Sequence, residues 1–233
     1  MNTVAARLAA ERRFYLAAAV GIVVIVLAGF SIDIDLLRDM SGLSMLVRLH
    51  GAVMLGWIAL FVTQTVLVAR HRVDWHRRLG IFGAALAAVI VIADTATAIA
   101  AVRLGGKHLP PGMPVPVFVA LALFNLLAFA VLVSSAILLR RNGAWHKRLM
   151  LLAALLLLDA ALARFISAYT SWGVDPALAR DLLIVLCIAI DTLRHRRLHP
   201  AFVAGALVAF ASDPLAHWVA AMPQWARFCA WLG

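Results

Sequence analysis

Residues 45–79 read MLVRLHGAVMLGWIALFVTQTVLVARHRVDWHRRL, and the fold follows from how this stretch is built. From Met45 to Ala69 it is apolar apart from Arg48, His50, Gln64 and a few small hydroxyls, whereas its end gathers Arg70, Arg72, Arg77 and Arg78. About 20 helical residues at roughly 1.5 Å each cover the ~30 Å of hydrocarbon in a bilayer, so the run is long enough to cross one. The basic cluster then marks the end of the crossing as cytoplasmic, because Lys and Arg accumulate on that side.

The same pattern continues in both directions. Apolar runs at approximately 14–32, 45–69, 79–102, 116–139, 149–170, 179–193 and 201–220 predict seven membrane helices in one domain spanning 1–233. With 65% hydrophobic and 14% charged residues, the chain is far more apolar than a water-soluble globule. The first run is too long for a signal-peptide core and no small-x-small cleavage pattern follows it. Basic residues mark every second junction: Arg12 and Arg13; Arg70 to Arg78; Arg140, Arg141, Lys147 and Arg148; Arg194, Arg196 and Arg197. The intervening loops are acidic or mixed (Asp33, Asp35, Arg38, Asp39; Arg103, Lys107; Asp175, Arg180, Asp181). The expected fold is therefore an all-α polytopic bundle with its N-terminus inside and its C-terminus outside. Because the net charge of +10 is spent in these short clusters, nucleic acid is not an expected partner. Pro110, Pro111, Pro114 and Pro116 mark an outer loop, and the tail 222–233, with Trp225, Phe228 and Trp231, reads as an interfacial anchor. Cys187 and Cys229 have no paired spacing that would suggest a disulfide framework or a thiolate metal site.

One short motif occurs twice. Trp75-His76-Arg77-Arg78-Leu79 recurs as Trp145-His146-Lys147-Arg148-Leu149, so the second and third helices resemble the fourth and fifth as a parallel repeat. Such repeats pack about an axis along the membrane normal, which would bring His76 and His146 to equal depth on facing helices. Neutral imidazoles there could supply both axial ligands of a haem b, with Arg77, Arg78, Lys147 and Arg148 near its propionates. The same box also fits an interfacial anchor of Trp at headgroup level beside snorkelling cations.

A second set of polar residues falls in the middle or outer half of the spans: Arg48, His50, Asp94, Asn125, Asp159, Arg164, Asp213 and His217. A charge at a helix centre costs ~2.5–3.5 kcal/mol on insertion scales, so these groups should face one another or a wet cavity. Asp94 is the expected partner of Arg164. The set could lock the bundle through ion pairs, or could serve a transporter, sensor or assembly factor as the site of a small ligand, ion or proton. His50 with Met54, and His146 with Met150, have a four-residue spacing that could hold copper, but they lie at opposite sides of the membrane.

The run Leu49-His50-Gly51-Ala52-Val53-Met54 with Trp57, Gln64, Arg70, His76-Arg77-Arg78-Leu79-Gly80 and His146-Lys147-Arg148-Leu149-Met150 resembles an uncharacterised family of bacterial multi-helix membrane proteins. The resemblance implies a bacterial inner membrane and carries no activity. A looser similarity is to transmembrane di-haem cytochromes b that pass electrons from ascorbate, whose four-helix core carries one ligand histidine per helix. His50, His76 and His146 match that plan; the fourth span departs from it, with Ala120 at the corresponding place and Asn125 as the nearest polar residue. The similarity implies electron exchange with a quinol or another membrane carrier, through one haem near the cytoplasmic face.

Overall fold

A computed structural model describes residues 3–33, 44–105, 109, 112–170 and 173–233. The side chain of Asp33, together with Asp35, Arg38, Asp39, Lys107, His108, Pro110 and Pro111 of the expected outer loops, lies outside the described residues. The chain is helical throughout the described regions: α1 (Thr3–Phe30, followed by a 3-10 turn at Ser31–Asp33), α2 (Met45–Ala69), α3 (Val73–Arg103), α4 (Val115–Leu138), α5 (Gly143–Leu156), α6 (Asp159–Tyr169), α7 (Pro176–His195), α8 (Pro200–Ala220) and α9 (Pro223–Leu232).

Local chemistry explains where these helices start. Ser44, Asn142, Asp175 and His199 accept backbone N–H groups at the heads of α2, α5, α7 and α8. Proline opens α7, α8 and α9, where its absent N–H costs nothing. α7 ends on Arg196, which adopts the left-handed conformation. The Trp-His boxes lie in the first turns of α3 and α5 rather than ahead of them, so both helices begin about six residues before the sequence expectation.

Five helices, in α1, α2, α3, α4 and α8, are long and apolar enough to cross a membrane, and α5 with α6 makes a sixth if the bent pair is one span. Their outward faces carry large apolar side chains, such as Ile81 at 74% and Leu138 at 78% exposure. In water those surfaces would be unfavourable; in lipid they are at home. The architecture is that of an integral membrane helix bundle. α7 has twenty residues but holds Arg180, Asp181, Asp191 and Arg194, and does not meet the same apolar criterion.

α4 occupies the middle, packed against α3, α5 and α8, while α2 lies on α3 and α1 rests against α2 and α6. Leu151 to Leu156 of α5 are buried on every side. The expected single span 149–170 is broken at Leu157 and Leu158, and its halves meet at 46°. Past the end of α8, α9 folds back onto α3 and α4, burying Cys229 and donating from Trp225 Nε1 to the Pro116 carbonyl at 2.8 Å.

Two glycines of α1 separate close packing from helix propensity. A Cβ on Gly29 would stand 2.8 Å from Ala161 Cα of α6, whereas one on Gly21 would meet nothing within 4 Å. Gly29→Ala should therefore lower stability by about 1–3 kcal/mol through overpacking against backbone. Gly21→Ala should leave it unchanged or raise it by up to ~1 kcal/mol. Thermal melting of the two variants in detergent would check the opposite signs.

Candidate functional site

The two boxes meet at one end of the bundle. The rings of His76 and His146 lie 6.1 Å apart, centroid to centroid, with their planes at 80°. Each ring stands in the first turn of its helix. His146 Nδ1 is 2.9 Å from the Ala136 carbonyl of α4. A carbonyl only accepts, so Nδ1 carries the hydrogen and Nε2 keeps its lone pair.

Unpaired polar atoms surround the same place. Among the described residues, Gln64 Oε1 and His76 Nδ1 are buried with no hydrogen-bond partner, as is Trp57 Nε1 deeper along α2, where its ring packs on Phe129. Trp57 and Gln64 are seven residues apart on α2 and so share a face. Gln64 Nε2 lies 3.8 Å from where a Cβ on Gly80 would stand, one turn beyond His76. Buried polar atoms without partners are few in native proteins, so Gln64 Oε1 and His76 Nδ1 mark this interface as a place with binding capacity to spare.

The cations of the second box have partners within the chain. Arg148, 2% exposed, forms a bidentate pair with Asp191 of α7, its Nε and Nη2 lying 3.0 and 2.8 Å from Oδ2. Lys147 is paired with Glu11 of α1. His195 approaches both carboxylates, at 3.6 Å from Glu11 and 3.5 Å from Asp191. These three residues could meet around one metal ion, but the two carboxylates already neutralise Lys147 and Arg148. Arg77 and Arg78 remain on the surface, with Arg78 over the Trp75 ring. Arg12 contacts His71, Arg194 donates to the Ala10 carbonyl, and Trp145 meets the His199 ring, so all four basic clusters collect at this end.

The other polar residues divide between two places. His50 Nδ1 lies 2.7 Å from Asp94 Oδ1, so Asp94 meets a histidine of α2 rather than the expected Arg164. Arg164 stacks over the Phe30 ring and donates to the Ala160 carbonyl. Asp159, Asn125 and Asp213 do come together, around a residue that the sequence reading left in a loop. Arg180, 0% exposed, donates to Asp159 Oδ2 at 2.7 Å, Asp213 Oδ2 at 2.5 Å and Asp181 Oδ1 at 2.9 Å. Asn125 Nδ2 reaches Asp159 Oδ2 at 2.5 Å. Arg48 and His217 are exposed on their helices, and His217 Nδ1 contacts the Asp213 backbone carbonyl.

Arg180 and Asp191 are the functional candidates that the sequence reading passed over. Their signal is an eleven-residue spacing, which returns to nearly the same face of a helix. No family model, curated protein or solved structure matches the chain.

The Arg148–Asp191 pair gives a direct test of this end of the bundle. Arg148→Met would leave Asp191 as an uncompensated buried charge and should cost about 3–5 kcal/mol. The double variant Arg148→Met with Asp191→Leu should recover most of that loss, since an apolar pair needs no desolvation. A double-mutant cycle by thermal melting in detergent measures both.

Proposed function

We propose that this integral membrane protein is a b-type electron carrier that holds one haem between His76 and His146. The observation that carries the reading is the spacing of the two rings. Two imidazoles that would hold one metal ion through nitrogens about 2 Å from it need ring centres no more than roughly 6 Å apart. The 6.1 Å separation of His76 and His146 agrees with that arrangement.

The chain's own residues supply the rest of the site. The Ala136 carbonyl orients the His146 ring through the Nδ1 hydrogen bond, so that Nε2 is the atom that would hold the iron. Gln64 and His76 Nδ1 offer buried polar atoms at the edge of the site. Of the four cations expected near the propionates, Arg77 and Arg78 are the two still available, because Lys147 and Arg148 are engaged by Glu11 and Asp191. A bound haem would supply one-electron redox chemistry, tuned by its two neutral imidazoles. A quinol or another membrane carrier is the partner that suits an electron site at the membrane surface.

The finer topology belongs to the same proposal. Counting α7, the chain crosses the bilayer of a bacterial inner membrane seven times, its N-terminus and the four collected basic clusters facing the cytoplasm. The polar face of α7 looks into the bundle through Arg180 and Asp191, while Leu182, Leu186 and Leu193 look outward. A helix of that kind can cross lipid despite its charges.

Protein purified from haem-replete cells should show a Soret band and a reduced-minus-oxidised α band. Both should disappear in His76→Ala and in His146→Ala, while Asp94→Asn keeps them. A colourless wild-type protein would overturn the assignment.

A further inference from the structure

We infer that the break between α5 and α6 is a proton-binding site, with Asp159 as the group that takes the proton. This inference is independent of the haem reading, since it concerns the opposite end of the same span.

Charge counting motivates it first. One guanidinium, Arg180, faces the carboxylates of Asp159, Asp181 and Asp213. With every acid ionised the group would carry two uncompensated negative charges around Arg180, which is 0% exposed, on carboxylates that are 31% (Asp159), 29% (Asp181) and 17% (Asp213) exposed. Burying charge without a counter-charge is expensive, and neutralisation by a proton is the ordinary escape.

The hydrogen bonds locate the proton. Asp159 uses Oδ2 for both Arg180 and Asn125, which leaves Oδ1 buried and, among the described residues, without a donor. Asn125 Oδ1 is likewise buried without a donor. Two acceptors without donors in one place are satisfied most simply when the carboxyl becomes a donor. The step is the formation of one O–H bond at Asp159 Oδ1 with a proton given up by hydronium, and nothing else is made or broken.

The backbone supports the same assignment independently. The break at Leu157 and Leu158 interrupts the helical ladder within the span, and Asn125 Nδ2 lies 3.4 Å from the Leu156 carbonyl at its edge. Membrane proteins place interrupted helices where ions or protons bind, because only there can irregular backbone be satisfied. Asp213 immediately precedes Pro214, which withholds a donor within α8. The groups facing Asp159 are Asn125 of α4, Arg180 and Asp181 of α7 and Asp213 of α8; among the described residues α1 brings Gly29 and Phe30 to α6. A metal cation would have to sit beside the Arg180 guanidinium, whereas a proton adds charge directly to the carboxylate.

Infrared difference spectra of the full-length protein between acid and alkaline pH would test this. Wild-type protein should show the C=O stretch of a protonated carboxylic acid that is lost on raising the pH. The band should be absent in Asp159→Asn and retained in Asp94→Asn. Asp213→Asn removes a neighbouring negative charge and should move the loss of the band by about one pH unit or more toward acid, a tenfold weaker proton affinity. Because the folded state then binds a proton that the unfolded chain releases, melting temperature should fall as pH rises through the transition. Asp159→Asn, or Asp213→Asn if the former does not fold, should flatten or shift that fall. A wild-type protein with no such band, a band surviving Asp159→Asn, or an Asp213→Asn titration identical to wild type would each overturn the proposal. So would displacement of the band by sodium at fixed pH, which would make a metal cation the occupant.

Discussion

A charge inside this bundle has to meet its opposite on another helix, and the arrangement of the spans depends on those meetings. Arg148 ties α5 to α7 through Asp191, Arg180 ties α7 to α6 and α8 through Asp159 and Asp213, and His50 approaches Asp94 between α2 and α3. Apolar packing alone cannot set this register, since lipid is as good a neighbour for leucine as another helix is. An unpaired charge has no such freedom, and sliding α7 by one turn would leave both of its buried ions facing hydrocarbon. The same constraint gives α7 its inverted character, with Arg180 and Asp191 inward and Leu182, Leu186 and Leu193 outward.

Much of this was legible in the sequence, because long apolar runs and alternating basic clusters are direct consequences of the solvent. The pairing of His76 with His146 was legible through repetition: matching boxes imply matching positions. Other features left weaker traces. The break in the fifth span falls in Leu155-Leu156-Leu157-Leu158, a run without proline or glycine, so nothing local announces it. The groups that meet it come from other helices: the Asn125 amide of α4 reaches the Leu156 carbonyl and Asp159, and the Arg180 guanidinium of α7 reaches Asp159. Arg180 was hidden for a related reason: a charged residue near the end of an apolar run reads as a loop unless its partners are known. Asp94 and Arg164 had complementary charge, yet helix packing gave Asp94 to His50.

The repeat shows how one scaffold can carry two kinds of site. Seventy positions separate His76 from His146, and the same step leads from Arg70 to Arg140, from His50 to Ala120 and from Asp94 to Arg164. At the end that holds the boxes, the two halves keep their Trp-His pairs and bring them face to face. At the other end the first half has a His50–Asp94 contact that the second half has lost at both positions. In its place stand Asn125 and Asp159, whose repeat counterparts are Leu55 and Val89. The matching boxes thus coincide with the place where the two histidine rings face each other, 6.1 Å apart. Symmetry is lost where polar groups serve a single helix break, because a break needs partners on one side only.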